Sequence, residues 1–232
     1  ISKALFINPM VKKLFWENPL QDTCTAKVTS ITKNVNNENT TFVIQLDQTI
    51  FYAFSGGQAS DQGTMNNLNV KTATKVGNDI HYELESEPDF KVGDSVEIKI
   101  DLARRKNLMR LHCAAHVVCF LFEDMTGLAP GDAIGSSVDP HKARLDYKYP
   151  QNISHVFEEL TKKANEVFAK NHPIETFANK DDPNRREWEC KSLNQACPCA
   201  GTHVSNTNQI GKIKLKRKNT GSGKERIEIM LA

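Results

Sequence analysis

The amino-acid sequence predicts an α+β protein: a small β-barrel domain over residues 1–98, then an α+β domain with an antiparallel sheet over 99–232. Three observations predict it. Short alternating segments separated by turn residues recur through the first hundred positions. An apolar pattern with spacings of three and four begins after Asp101. Beyond it, one more amphipathic helix is interleaved with alternating strands. A chain of 232 residues is long enough for one or two domains and for a core that needs no disulfide staple.

Taken in order, Asn18-Pro19 marks a turn and TCTAKVTSI alternates as a half-buried strand. Asn34–Thr40 reads as a polar loop, and TTFVIQLDQTIFYAF as two strand-like pieces rich in β-branched and aromatic residues. SGGQASDQGT is a glycine-rich turn region that leaves Gln58 exposed. LNVKTATKV, DIHYELE and SVEIKID are three more strands, divided by Gly77-Asn78 and by Lys91–Asp94. Leu108, Leu111, Ala115, Val118, Phe122 and Met125 then form one helical stripe over 101–126, with Asp101 as N-cap and Gly127 as stop. SSVDPHKARLDYKY is a hairpin turning at DPHK, and ISHVFEELTKKANEVFAKN a second amphipathic helix. WECKSL, VSNTNQIGKIKLKRKN and RIEIMLA supply the remaining strands.

Charge and cysteines narrow the function. Overall 30 Lys+Arg face 28 Asp+Glu, which with plentiful apolar residues argues against disorder. The basic residues concentrate late: positions 212–226 hold seven of them and one acid. Such a strip either meets a polyanion such as RNA or is a solvated strand. Within it Lys212, Lys214, Lys216, Arg217 and Lys218 are the candidate RNA contacts. No apolar run reaches the length of a membrane span. In ISKALFINPMVKKLF the apolar residues are broken by Asn8, Pro9, Lys12 and Lys13, so no export signal is recognised there. The expected location is the cytoplasm, with the six cysteines reduced and some of them ligands.

Two short motifs carry the chemistry. HCAAH places His112 and His116 four residues apart, on one helix face and about one turn from each other. CPCAGTHV places Cys199 and His203 at the same spacing in a loop that Gly201 allows to fold sharply. Thiolate and imidazole together suit zinc, and the two pairs make one four-ligand set, hence one zinc per chain. Cys197 is a rival, but Pro198 stiffens the step to Cys199, so it is read as packing beside the ligands. Cys113 is read as a small buried hydrophobe. An HExxH protease would need Glu where Cys113 stands, and a zinc deaminase would need H-x-E with P-C-x-x-C, which this chain lacks. A closed four-ligand site would be structural; an open one would support ester hydrolysis.

HCAAH followed by CAGTHV, with FYAFSGGQASDQGT before them and RLDY between, resembles the alanyl-tRNA editing proteins of the AlaX kind, relatives of the editing domain of alanyl-tRNA synthetase. The four pieces, Phe51–Gly63, His112–His116, Arg144–Tyr147 and Cys199–His203, stand in the family's order, and KKLFWENP matches its usual start. The resemblance covers nearly the whole chain and indicates the medium-length type. It implies a trans-editing hydrolase that deacylates mischarged tRNA(Ala), chiefly carrying serine and in some members glycine. It carries the zinc ligands onto His112, His116, Cys199 and His203. It also implies that a zinc-bound or zinc-positioned water attacks, with no protein base assigned. Gly56, Gly57 and Gln58 would approach the tRNA acceptor end, and Thr202 and Gln58 are candidate partners for the seryl hydroxyl. Arg144 and Asp146, two apart on a strand, either support the pocket floor or form a surface ion pair. The sequence departs from the family at Ala53-Phe54, where an acid is usual before Ser55. It departs again at Ala133, where members often carry Gln or Thr, and at Ala200, commonly Gly. The reading from another class is a non-catalytic tRNA-binding module with a structural zinc.

Overall fold

The protein is described by a computed structural model over residues 11–36, 39–221 and 223–232. The start of the export-signal stretch, two positions of the Asn34–Thr40 loop and Ser222 of the basic segment lie outside those residues. The architecture is mixed α+β, and nearly all strand pairing is antiparallel. The chain divides into two compact units, one of residues up to Phe54 with Ser60–Leu102, the other of Ser55–Ala59 with Ala103–Ala232. The SGGQ segment, expected in the first domain, therefore belongs with the second unit.

In the first unit, β1 (Lys12–Lys13) pairs in parallel with β4 (Gln48–Thr49). Six strands close into a hydrogen-bonded ring: β2 (Thr23–Asn36), β3 (Asn39–Leu46), β7 (Asp79–Leu84), β6 (Leu68–Val76), β5 (Gly63–Met65) and β8 (Ser95–Ile100), with β8 returning to β2. Strict alternation in DIHYEL and SVEIKI sends Ile80, Tyr82, Leu84, Val96, Ile98 and Ile100 to one side, where they are buried. The buried Tyr82 hydroxyl is hydrogen-bonded to that of Thr49.

The second unit is built on a four-stranded antiparallel sheet in the order β14 (Ile213–Gly221), β15 (Lys224–Leu231), β10 (Ala143–Lys148), β9 (Ala133–Val138). Its inward residues share a core with the apolar faces of α1 (Leu102–Thr126) and α2 (Ser154–Ala169). The Asn165 side chain ties α2 to β14, accepting from Ile213 N–H at 2.9 Å and donating to Ile213 C=O at 3.1 Å. A second sheet orders β11 (Glu175–Ala178), β12 (Arg186–Cys190) and β13 (Gln195–Pro198). No helix among the described residues is long and apolar enough to cross a membrane.

Most expected elements are present, with instructive shifts. α1 starts directly after Asp101 and stops at Gly127, whose φ of +71° a side chain would disfavour. The Asn34–Thr40 loop is largely strand: β2 reaches Asn36 and β3 resumes at Asn39, because pairing with a partner overrides the weak β preference of asparagine. Phe51–Ala53 is no strand, yet all three residues are buried. Val204–Gly211, expected as strand, is loop with a 3-10 turn at Thr207–Gln209; the strand begins only at Ile213. β11 and β13 were not foreseen.

Phe122 is fully buried, with its ring centroid 4.6 Å from that of Tyr147. Phe122→Ala is expected to cost about 3–5 kcal/mol by leaving a cavity, read as a lower denaturant midpoint in tryptophan fluorescence.

Candidate metal centre

α1 and the loop after β13 deliver the donors. His112 and His116 lie one helical turn apart with rings stacked at 4.8 Å and 16°. Cys199 Sγ sits 3.4 Å from His112 Nε2 and 3.3 Å from His203 Nε2. One donor atom from each of His112, His116, Cys199 and His203 falls within 4.8 Å of the others. Tetrahedral zinc, with Zn–N of about 2.0–2.1 Å and Zn–S of about 2.3 Å, would separate nitrogen from sulfur by about 3.5 Å. The Nε2 atom of His116 is buried with no hydrogen-bond partner, the state expected of a lone pair awaiting a cation. The donors thus fit the metal on geometry and on chemistry.

The SGGQ turn controls this site from behind. Gly56 and Gly57 have φ of +55° and +81°. Two consecutive positive values are what a tight turn of the primed kind requires, so both positions favour glycine. A side chain at Gly57 would also strike the Ser136 carbonyl oxygen at 2.7 Å. Flanking bonds from Val138 N–H to Gly57 C=O and from Ala59 N–H to Val138 C=O, both 2.8 Å, dock the turn on β9. Gln58 is thereby turned inward and fully buried, not exposed as the sequence suggested.

The Gln58 amide sets the state of His112. Thr202 N–H can only donate, and it points at Gln58 Oε1 from 3.1 Å. Gln58 Nε2 correspondingly donates to Thr202 Oγ1 at 2.8 Å. The oxygen that faces Thr202 also lies 2.7 Å from His112 Nδ1. An oxygen there demands a proton on Nδ1, which leaves the lone pair on Nε2, the atom beside Cys199. The His116 Nδ1 atom is 3.6 Å from Cys197 Sγ, so Cys197 stands behind a ligand, as expected from Pro198.

Electrostatics favour a metal over protons. Burial lowers the His112 pKa to about 4. Burial and then the neighbouring histidines hold His116 and His203 well below the usual imidazole range, so all three rings are neutral at pH 7, the state a metal ion requires. Burial pushes the Cys199 thiol up to about 11 despite a bond from Gly201 N–H; a bound dication would remove that proton.

Gly201 is needed for space rather than for a bend, since its φ lies outside the left-handed region. A Cβ there would overlap the His112 ring and lie 2.7 Å from Gln58 Oε1. Ala200, the departure from the commoner glycine, does not have a positive φ and is tolerated.

The remaining expected residues sit elsewhere. Arg144 and Asp146 do share one face of β10, but Asp146 is held by Arg226 in a two-pronged contact of 2.6 and 3.0 Å, with Arg144 at 3.8 Å. Among the described residues, neither is hydrogen-bonded to the His/Cys group. Arg217 turns to the opposite face from its lysine neighbours and pairs with Glu225. Cys113 is buried as expected. Trp188, stacked on His116 at 4.8 Å and 23°, was not foreseen; a lone Trp in a short strand gives no such signal.

A family model described as "Threonyl and Alanyl tRNA synthetase second additional domain" matches residues 194–228, the stretch that carries Cys199 and His203. Another, described as "tRNA synthetases class II (A)", matches 12–104. The two matches, with His112 and His116 between them and Cys199 and His203 inside the second, point to a class: proteins carrying the additional domain shared by threonyl- and alanyl-tRNA synthetases. The chain is similar over almost its whole length to the alanyl-tRNA editing protein AlaX-M of Pyrococcus horikoshii, at 34% identity over 224 residues, 96% of this chain and 98% of that protein. It belongs to the AlaX family of alanyl-tRNA editing proteins. It is also similar to alanine–tRNA ligases of Methanococcus maripaludis, 30% over 234 residues, and of Metallosphaera sedula, 32% over 198 residues. It spans only 25% and 21% of the length of those two ligases.

Two variants test the construction of the site. Gly201→Ala is expected to abolish metal binding by displacing His112, while Ala200→Gly keeps one metal per chain by atomic absorption. Gln58→Leu should weaken zinc by about 10–100-fold in chelator competition, because the His112 proton loses its acceptor.

The metal-free protein should be acid-sensitive. The folded His112 titrates near 4 and the unfolded one near 6.5, so unfolding takes up protons between those values. The stabilisation is complete above pH 6.5 and lost as pH falls towards 4. His112 alone accounts for roughly 3 kcal/mol, measurable by denaturant titration at pH 7, 6, 5 and 4.5.

Proposed function

We propose that this protein is a zinc-dependent trans-editing deacylase. It hydrolyses the ester of mischarged tRNA(Ala), chiefly Ser-tRNA(Ala), and so protects translation fidelity. The observation that carries the reading is the His112, His116, Cys199, His203 cluster in a chain of the AlaX family. Zinc held by these four side chains supplies Lewis-acid chemistry next to the ester. The chain's own residues do the rest. Gln58 keeps His112 in the tautomer that presents Nε2. Trp188 and His112 hold the His116 ring between them. Thr202, nearly fully buried, accepts from Gln58 through Oγ1 and keeps its own O–H to donate. That proton is the candidate contact for the seryl hydroxyl. A site built around such a contact can discriminate against the analogue lacking the hydroxyl by roughly 10⁴–10⁵, which is what sparing Ala-tRNA(Ala) requires. Gln58 is committed to His112 and Thr202, so its role moves from tRNA contact to support of the site.

One observation favours a second reading. Four protein donors are enough to close a tetrahedral zinc shell, the pattern of a structural metal, which fits a non-catalytic tRNA-binding module. A single assay separates the two. Purified protein is incubated with Ser-, Gly- and Ala-tRNA(Ala), and released amino acid is followed beside the Cys199→Ser variant and a zinc determination. The deacylase reading expects rapid release of serine, survival of the alanyl ester, and loss of both zinc and activity in Cys199→Ser. Binding of tRNA(Ala) without release of any amino acid would leave the module.

A further inference from the structure

The sheet of the second unit has a face turned away from its core, and that face is charged in an unusual way. Along edge strand β14 the side chains of Lys214, Lys216 and Lys218 alternate outward and are exposed, while Ile213, Leu215 and Arg217 point the other way. Successive outward positions on a strand are about 6.5–7 Å apart, a spacing on the scale of consecutive phosphates along one nucleic-acid strand. None of the three lysines is in an ion pair among the described residues. The register adds two like-charge pairs directly opposite each other, Lys218 with Arg226 and Lys148 with Lys224. Such pairs destabilise a sheet. Of the two acids on the same face, Asp146 is engaged by Arg226, and Glu228, directly opposite Lys216, is hydrogen-bonded to Lys142 at 2.8 Å, which leaves one shared carboxylate near three lysines.

A strip of three exposed lysines that outnumbers the acids beside it is suited to a polyanion. The kind of polyanion follows from what is missing. Single-strand binders add aromatic platforms on which bases stack, and none of the outward positions on β14, β15 and β10 is aromatic. What remains is contact with the sugar–phosphate backbone of a duplex. Position points the same way. Three strand spacings separate β14 from β9, and the SGGQ turn pairs beyond β9 at Val138, so the lysines stand about 19 Å from Gln58 across the sheet. That is too far to touch an amino acid bound beside the metal centre, and comparable to the reach of the few unpaired nucleotides that join an aminoacyl ester to its stem.

We propose that Lys214, Lys216 and Lys218 form a backbone-docking strip for the duplex acceptor stem of the tRNA. This rests on the deacylase reading for the identity of the RNA, but the strip is tested without turnover. The probe is an uncharged RNA hairpin with the acceptor-stem sequence of tRNA(Ala) and its unpaired tail, titrated against the zinc-loaded protein at several KCl concentrations. The triple variant Lys214→Gln/Lys216→Gln/Lys218→Gln is compared with wild type. The control is Lys162→Gln/Lys163→Gln/Lys170→Gln, which removes the same charge from α2 and its C-terminal end. The strip variant is expected to bind on the order of 10- to 100-fold more weakly near physiological salt, with the log–log salt slope lower by about 2–3. Melting temperature should be no lower than wild type, because the variant removes one of the like-charge pairs, and zinc content and hydrolysis of the seryl ester of adenosine should match wild type, since that small substrate has no stem. The proposal is overturned if the strip variant keeps wild-type affinity and slope. It is overturned equally if the α2 control loses as much, which would make the effect one of net charge. A wild type that binds the hairpin but leaves Ser-tRNA(Ala) intact would instead remove the deacylase reading and keep the strip.

Discussion

The hydrogen bond from the Thr202 backbone to the Gln58 side chain is the contact on which the metal centre depends. A backbone N–H has no alternative role, so the orientation of the Gln58 amide is set by the main chain. That orientation sets the proton on His112, and the proton sets which imidazole nitrogen faces Cys199. Each step links elements far apart in sequence: the loop after β13, the SGGQ turn and the first half of α1. Neutral rings complete the arrangement. Burial makes protonation of the three histidines unfavourable, and the same burial makes the Cys199 thiol reluctant to ionise without a cation. The pocket is therefore poorly matched to protons and well matched to one soft-to-borderline dication.

Much of this was legible in the sequence, for identifiable reasons. The pairing of His112 with His116 could be read because helical periodicity places them on one face. Strands β7 and β8 could be read because half-buried strands keep strict alternation. The sequence does not separate Arg217 from its lysine neighbours, because a basic run on a strand has two faces and composition alone does not assign them. The Asn34–Thr40 stretch was misread because its pairing with a partner strand outweighs what asparagine prefers alone. Gln58 was the largest departure. A Ser-Gly-Gly-Gln turn predicts a bend, but nothing local says whether the last residue faces solvent or the interior; docking on β9 decides it.

The two faces of the four-stranded sheet obey opposite rules. Inward positions carry Leu145, Tyr147, Ile227 and Ile229, which pack with α1 and α2 in one core. Outward positions carry charges arranged partly against their own mutual attraction. The apolar packing lies on the first face, and the second carries the proposed docking strip. Arg217 and Glu225 show how strictly the division holds: the one basic residue of β14 on the inward side is neutralised at once by an acid from β15.

The five residues Ser55–Ala59 are threaded between two stretches of the first unit, yet they pack with the second. The first unit is thus interrupted in sequence by a short piece of the second. A fragment from Ala103 onward would contain all four residues of the His/Cys cluster and still lack the glutamine that orients the first of them. Transplanting the metal-binding half onto another protein as a cassette would leave that glutamine behind. Any lineage that shortens the chain from its front must either retain this short excursion or supply another acceptor for the His112 proton.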